Sequence, residues 1–235
     1  ALTMELDQSA MDQEIARDYW RTFYYALDPE ALGVITKHWA SPDALNEAVG
    51  RLRVHAAALP EAPPPAETLA NARAERERIL GELKAPWPAW VDELEALLED
   101  AADRKAFHGQ KLNAKNRANW LNKLRDWASD PEAVTPDLTD AAWKRLTPEG
   151  LAEIWKEGPP PTHPALDALV ELRDRLAELP EPFADLLSHA VHWMARRRET
   201  VQRRRAELGP DDLLHRLDAA FQGEAGETLA SRIRA

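Results

Sequence analysis

The sequence predicts an all-α fold, with several helices, a protruding helical arm and one long arginine-rich helix. Residues that favour helices (Ala, Leu, Glu and Arg) are abundant, whereas the 235 residues include only nine glycines and few β-branched runs. Proline directly follows Asp, Ser or Thr at several points, which is typical of a helix start. The chain is 44% hydrophobic and 30% charged, so it should be globular and bury a core.

The first quarter of the chain should contain three helices and a linker. The helices are predicted at about residues 3–27, 29–39 and 42–55. Asp28 and Ser41 each precede a proline, so their side chains should cap the second and third helices. The proline-rich stretch from Pro60 to Pro65 predicts a stiff, extended linker.

The middle of the chain begins with two helices that should form a long hairpin or arm. They are predicted from Ala66 to Lys84 and from about Pro88 to Ala102, broken at Pro86-Trp87-Pro88. A basic loop and a short helix follow, the helix carrying Trp120, Leu124 and Trp127 at i, i+4 and i+7. The later elements are two short helices opened by Thr139 and Thr147, a proline-rich turn over 158–164 and an amphipathic helix over 164–178.

The arginine-rich helix is predicted from Phe183 to Leu208, between Pro182 and Gly209-Pro210. At 1.5 Å per residue it would reach about 40 Å. The first half of this helix should lie in the core and its second half at a domain edge. The reason is that only one row of residues spaced by seven stays apolar along the whole helix, while the rest of the second half is rich in arginine. That row is Leu187, Met194, Val201 and Leu208. Two terminal helices are expected at 211–221 and 227–235.

Positive charge is concentrated in two stretches of an otherwise acidic chain whose net charge is −11. Between Asp103 and Arg125 there are seven basic residues and one acidic residue, and between Arg196 and Arg205 six arginines and one glutamate. The candidate DNA-binding residues, here the first island, are Arg104, Lys105, Lys111, Lys115, Arg117 and Lys123. The second island is Arg196, Arg197, Arg198, Arg203, Arg204 and Arg205.

The two islands have different interpretations. The first is interleaved with Gln110, Asn113, Asn116 and Asn119, and cations with short amides suit contacts to phosphate and sugar; a solvated face is the alternative. The second is typical of a solvated, ion-paired helix face, since Glu199 and Glu207 lie within one turn of Arg203. Core packing is expected for four tryptophans and base stacking is the alternative; these are Trp120, Trp127, Trp143 and Trp155.

No pattern in this chain predicts catalysis, a cofactor or a metal. The phosphate-binding, dinucleotide-binding, zinc-protease and nucleophile-elbow motifs are all missing. His189 and His192 could share a metal, but no third ligand is near in sequence, so ordinary packing is favoured. Asp211 and Asp212 are better explained as helix caps than as paired acids. With no cysteine, no export signal and no apolar run of 18 residues, a cytoplasmic location and no membrane contact are expected.

The most specific sequence runs near the end of the chain are Leu208-Gly209-Pro210-Asp211-Asp212-Leu213-Leu214 and Gly226 to Arg234. Further runs lie earlier, at Asp18-Tyr19-Trp20-Arg21, Ala62 to Ala70, Asp103 to Phe107 and Ala118 to Lys123. In all of these runs the chain resembles the RecB family, the beta subunits of bacterial exodeoxyribonuclease V within the UvrD-like superfamily 1 helicases. The resemblance is most specific in the first two. It therefore extends over essentially the whole chain. Pro210 departs from the family, which usually has an aromatic residue before the Asp pair, and could alter how the last helix docks.

The resemblance implies that this chain is part of an ATP-dependent DNA helicase and exonuclease of double-strand break repair and recombination. Residues 1–208 would be the helical 1B insertion of the first motor domain, with the arm over about 66–128, and 209–235 would lead back into that motor domain. ATP and Mg²⁺ would bind outside this chain, which would contact duplex DNA and sister subunits of a RecBCD-type complex. The alternative is an all-α interaction module that docks on a partner subunit without touching DNA.

Overall fold

A computed structural model describes residues 2–207, and the side chains of residues 8–204. Several expectations lie outside the described residues. They are the end of the arginine-rich helix at Leu208, the helices expected at 211–221 and 227–235, the capping by Asp211 and Asp212, the effect of Pro210, and the side chain of Arg205.

The described residues form helices joined by short loops, and they contain no β-strand beyond one isolated bridge. The all-α prediction is therefore confirmed. A 3₁₀ helix covers Arg53–Ala58. The α-helices are α1 Leu2–Phe23, α2 Pro29–His38, α3 Pro42–Leu52, α4 Pro65–Lys84, α5 Trp87–Asp103, α6 Ala114–Ser129, α7 Asp140–Arg145, α8 Pro148–Ala152, α9 Pro164–Ala177 and α10 Phe183–Glu207.

The predicted caps are confirmed where the sequence placed them. The Asp28 carboxylate accepts the N–H of Ala31 at 2.9 Å, and the Ser41 hydroxyl accepts that of Ala44 at 3.2 Å. The Thr139 and Thr147 hydroxyls do the same at the starts of α7 and α8. Each cap satisfies a backbone donor that has no partner within its own helix.

Two compact units divide the described chain. The first combines the residues up to Leu69 with those from Pro182 onward. Helices α3 and α10 pack on α1 there, around a buried core that includes Ile15, Tyr19 and Ala190. The buried residues of α10 lie in its first half, as predicted, and Met194 is among the last of them.

The second unit runs from Ala70 to Glu181, and in it α5 packs on α6 and α9. Its core holds Trp87, Trp120, Trp127 and Trp143, so core packing is confirmed for the last three. Helices from the segment expected to be an arm share this core with α7 to α9; the extent of that arm stays a prediction. Gly150 has no room for a side chain, since a Cβ there would lie 2.0 Å from the Lys144 carbonyl oxygen.

Three element boundaries differ from the prediction. Helix α1 ends at Phe23, whereas the prediction placed its end near residue 27. A turn closes the helix, in which the N–H groups of Tyr24 and Tyr25 both donate to the Trp20 carbonyl. The third predicted helix becomes a 3₁₀ helix after Leu52. Helix α6 has 16 residues and is not short, and it starts at Ala114 because the Asn113 side chain caps it by accepting the N–H of Asn116 at 2.8 Å.

Candidate nucleic-acid interface

The first island begins where α5 ends. The N–H of Lys105 donates to the Ala102 carbonyl at 2.9 Å, and the N–H of Ala106 donates to the Ala101 carbonyl at 2.9 Å. This pair of bonds is the Schellman motif, with buried Ala101 and Ala106 in contact positions. Lys105 occupies the position where glycine is usual, with φ of 56°. The side chain of Lys105 is exposed. Its left-handed backbone conformation is less favourable for a residue with a Cβ than for glycine, so it lowers the stability of the fold.

The loop after Lys105 presents two more exposed lysines. Lys111 lies in a turn in which its own N–H donates to the His108 carbonyl at 2.9 Å. Lys115 lies in the first turn of α6, just after the Asn113 cap. In the part of the chain that the structure describes, the ammonium groups of Lys105, Lys111 and Lys115 form no ion pair or hydrogen bond. We call these three residues the free lysines.

The other three candidates of the first island are engaged within the protein. Arg104 pairs with Asp100 of α5 at 2.7 Å, and Lys123 pairs with Asp137. The Arg117 guanidinium donates to the Leu112 carbonyl at 2.9 Å and lies 5.6 Å from the centre of the Phe107 ring. Arg117 therefore fixes the loop to α6, and its charge is less available to a ligand than that of a free lysine.

An isolated antiparallel bridge joins the basic loop to a distant segment and brings in a lysine that the sequence did not predict. The N–H of His108 donates to the Ile154 carbonyl at 2.9 Å, and the N–H of Lys156 donates to the Ala106 carbonyl at 2.7 Å. Exposed Lys156 thus lies across the bridge from the residue that follows Lys105. No sequence signal could have found this lysine, since it is about fifty residues away and stands alone among neighbours of mixed type.

The second island is mostly bound to acidic residues of its own unit. Arg198 donates to both carboxylate oxygens of Asp12, at 3.0 and 3.1 Å, and Arg53 donates to Asp12 at 2.7 Å. Arg197 pairs with Asp18 at 3.3 Å, and Arg196 lies 4.0 Å from Glu61. The exposed Arg203 and Arg204 make no ion pair with any described residue.

The second island is ion-paired, as predicted, but its partners differ from the glutamates of the same helix that the sequence indicated. Among the described side chains, Glu199 of α10 itself makes no ion pair, and the carboxylates come from α1 and from the segment before α4. Asp12 and Arg198 side chains are only 14% and 19% exposed. Removing one partner of a pair so far removed from water leaves the other charge poorly solvated, which costs more than breaking a pair on an exposed face.

The two histidines considered as metal ligands each have a hydrogen-bond partner in the first unit. The Nδ1 atom of His189 lies 2.9 Å from the Tyr19 hydroxyl, and Nε2 of His192 lies 3.1 Å from the Leu59 carbonyl oxygen. Burial lowers the pKa of His189, and the charges of Arg196 and His192 lower it further. Burial raises the pKa of Tyr19. Among the side chains described, those of residues 8–204, no three His, Asp or Glu residues are grouped as metal ligands.

Comparison with known proteins finds relatives that are similar in sequence to nearly the whole chain. Over 234 residues the chain is 35% identical to RecBCD enzyme subunit RecB of Escherichia coli (strain K12), a match that covers 97% of this chain. The chain is similar to a segment of RecB. The same subunit of Haemophilus influenzae (strain ATCC 51907 / DSM 11121 / KW20 / Rd) is 26% identical over 251 residues, again across 97% of the chain. The resemblance to RecB noted in the sequence is confirmed.

The chain spans about a fifth of the length of these RecB relatives, 19% of the first and 21% of the second. No protein-family model matches it. Among the described residues, none of the helices is both long and apolar enough to cross a membrane.

Proposed function

We propose that this chain is a DNA-contacting and scaffolding region of a RecB-type subunit. The parent protein would be an ATP-dependent DNA helicase and exonuclease that acts in double-strand break repair and recombination in the cytoplasm. ATP and Mg²⁺ would bind elsewhere in that parent, and this region would carry out no chemistry. Similarity to a subunit of the RecBCD enzyme supports the parent's role and the presence of sister subunits.

The observation that carries the DNA contact is the set of free lysines at the junction of α5 and α6. A phosphate group needs a cation that is exposed and not already neutralised by a carboxylate of the protein. Lys105, Lys111 and Lys115 meet both conditions, whereas Arg104 and Lys123 are paired with acids. Contacts of this kind bind duplex DNA without reading its sequence.

The test is binding of the 235-residue chain to plain duplex DNA over a range of salt concentrations. Non-specific binding typically has a Kd of about 10⁻⁴–10⁻⁶ M at physiological salt, and the net charge of −11 should place this chain at the weak end. The triple variant Lys105→Ala, Lys111→Ala, Lys115→Ala should weaken binding equally for unrelated sequences. It should also flatten the slope of log K against log salt by about one unit for each phosphate that the variant no longer neutralises.

A matched control comes from the second island. Arg196→Ala, Arg203→Ala, Arg204→Ala removes the same charge from exposed positions of the other unit, and it should leave the salt slope nearly unchanged. Equal effects of the two triple variants would show that only net charge matters and that the free lysines form no site. If the chain bound a sister subunit but no DNA, the alternative of a protein-interaction module would be correct.

A further inference from the structure

We infer that the surface carrying the free lysines also binds an unpaired DNA base, with Trp155 as the side chain on which the base stacks. The inference rests on the proposed DNA contact and narrows its ligand from any duplex to DNA with a single-stranded tail or a frayed end. A closed duplex hides the faces of its bases, except at its last pair, so a stacking residue would distinguish the two forms.

Trp155 differs in burial from the other tryptophans for which base stacking was considered. Trp120, Trp127 and Trp143 are only 5%, 2% and 9% exposed and fill the core of the second unit. Trp155 packs against the same core but stays partly exposed. It is therefore the member of this set that a ligand can reach.

The backbone holds the Trp155 ring in place. The hydrogen bonds of the bridge flank Phe107 and Trp155, so these two residues form the pair whose side chains approach most closely on one side of the bridge. Their ring centres are 5.5 Å apart and their planes tilt by 35°. The Arg117 guanidinium lies 5.6 Å from the Phe107 ring centre and supports this stack. A preorganised ring loses little conformational entropy when a base binds.

Each of the two segments that the bridge joins carries an exposed lysine. Lys156 follows Trp155 directly, and across the bridge it bonds to Ala106, the residue after Lys105. Both lysines are exposed and have no carboxylate partner among the described residues. Cations for the backbone together with an aromatic face for the base are the combination that single-stranded nucleic-acid sites use.

Trp90 shows that partial exposure alone does not make such a site. It is also partly exposed and belongs to the same unit, but it lines a cavity whose charged residues are Glu82, Glu171 and Arg175, two carboxylates against one guanidinium. Carboxylates at that opening repel phosphate. Trp90 therefore serves as a matched control for Trp155.

The experiment compares two DNA hairpins, one blunt and one with a tail of about five unpaired nucleotides, in titrations with the 235-residue chain at low salt. The tailed hairpin should bind at least about fivefold more tightly. Trp155→Leu should abolish this preference, so that the variant binds the two hairpins with equal affinity, and Trp155→Phe should keep part of the preference. Trp90→Leu should leave both affinities as they are.

The outcomes separate the inference from the function on which it rests. Binding of neither hairpin overturns the proposed DNA contact itself. Equal binding of both hairpins by the unchanged chain overturns the stacking role and leaves the DNA contact standing. Should Trp155→Leu fail to fold, a tail containing 5-iodouracil provides the answer in the unchanged chain: photocrosslinking to the peptide with Trp155 supports the inference, and crosslinking only elsewhere overturns it.

Discussion

The two basic islands carry six positive side chains each, four of them lysines in the first island and none in the second, and the structure uses them in different ways. In the second unit, the first island leaves three lysines free on the surface around the junction of α5 and α6. In the first unit, Arg197 and Arg198 of the second island bind Asp18 and Asp12 of α1, the helix on which α10 packs. The free lysines of one island are available to a ligand, whereas Arg197 and Arg198 of the other are held by ion pairs within their own unit.

The difference follows from side-chain chemistry and from what the neighbouring helix carries. The planar guanidinium of arginine matches a carboxylate with two parallel hydrogen bonds, whereas the lysine ammonium is a strongly hydrated point charge. Arginines near an acid are engaged, as Arg125 is with Asp92 and Glu95 at 2.9 Å each. A cluster of positive charge in a sequence therefore indicates a ligand surface only after the acids of the adjacent helices have been counted.

The largest stability effect should come from Asp12, which receives two arginines while only 14% exposed. Asp12→Ala would leave Arg53 and Arg198 partly buried without this partner, and we expect it to lower the free energy of unfolding by about 2–3 kcal/mol. Urea unfolding measures the loss. Glu47→Ala in the same unit is the control, because its pair with Arg51 is exposed and should contribute little. An equal effect of the two variants would contradict a structural role for the second island.

A second variant tests whether the arginine-bearing half of α10 is anchored at all. Val201 is partly buried and packs against the core of the first unit. Val201→Asp would place an unpaired charge there and should cost about 1–3 kcal/mol. Gln202→Asp, one residue further along and exposed, should change the thermal midpoint little. An unchanged midpoint for Val201→Asp would mean that this half of the helix is free in solvent.

A smaller effect should appear with pH at the seam between α1 and α10. His189 has a pKa below its ordinary value because it is buried and near Arg196 and His192. Its charged form is therefore disfavoured in the folded chain, so unfolding becomes easier as the pH falls below the unfolded pKa of about 6.5. Above that pH this contribution is constant. Urea midpoints at pH 7.5 and 5.5 measure it, and His189→Gln should reduce the difference; an unreduced difference would assign the pH dependence to other groups.

Local features of the fold could be predicted from the sequence, and distant contacts could not. The caps at Asp28, Ser41, Thr139 and Thr147 were found because each acts within four residues of itself. The arginine-rich helix was found because nothing interrupts its helix-forming run over Phe183–Glu207. Such predictions depend only on neighbours along the chain.

The contacts that distinguish the two islands join residues far apart in sequence. Asp12 meets Arg198 across 186 residues, and Lys156 reaches the basic loop through a bridge between two irregular segments. No periodicity specifies either contact. The first island was predicted as a charge cluster, but its division into three free lysines and three engaged side chains required the positions of the groups around each cation.

The smallest expected effect on stability concerns Lys105 of the first island, which lowers the stability of the helix end where it lies. It contrasts with Arg198 of the second island, whose ion pair with Asp12 contributes to the fold. Lys105 adopts φ of 56° at a position where glycine avoids the clash of a Cβ. Lys105→Gly should raise the free energy of unfolding by about 0.5–1 kcal/mol, the relief of strain being partly offset by the greater freedom of glycine in the unfolded chain. It should also weaken DNA binding, since it removes one of the free lysines.

Lys105→Ala is the matched control: it removes the same charge but keeps the Cβ, so binding should weaken equally without a gain in stability. A glycine variant that is no more stable than the alanine variant would show that the backbone is not strained. Unchanged DNA binding in both variants would show that Lys105 is not part of the interface.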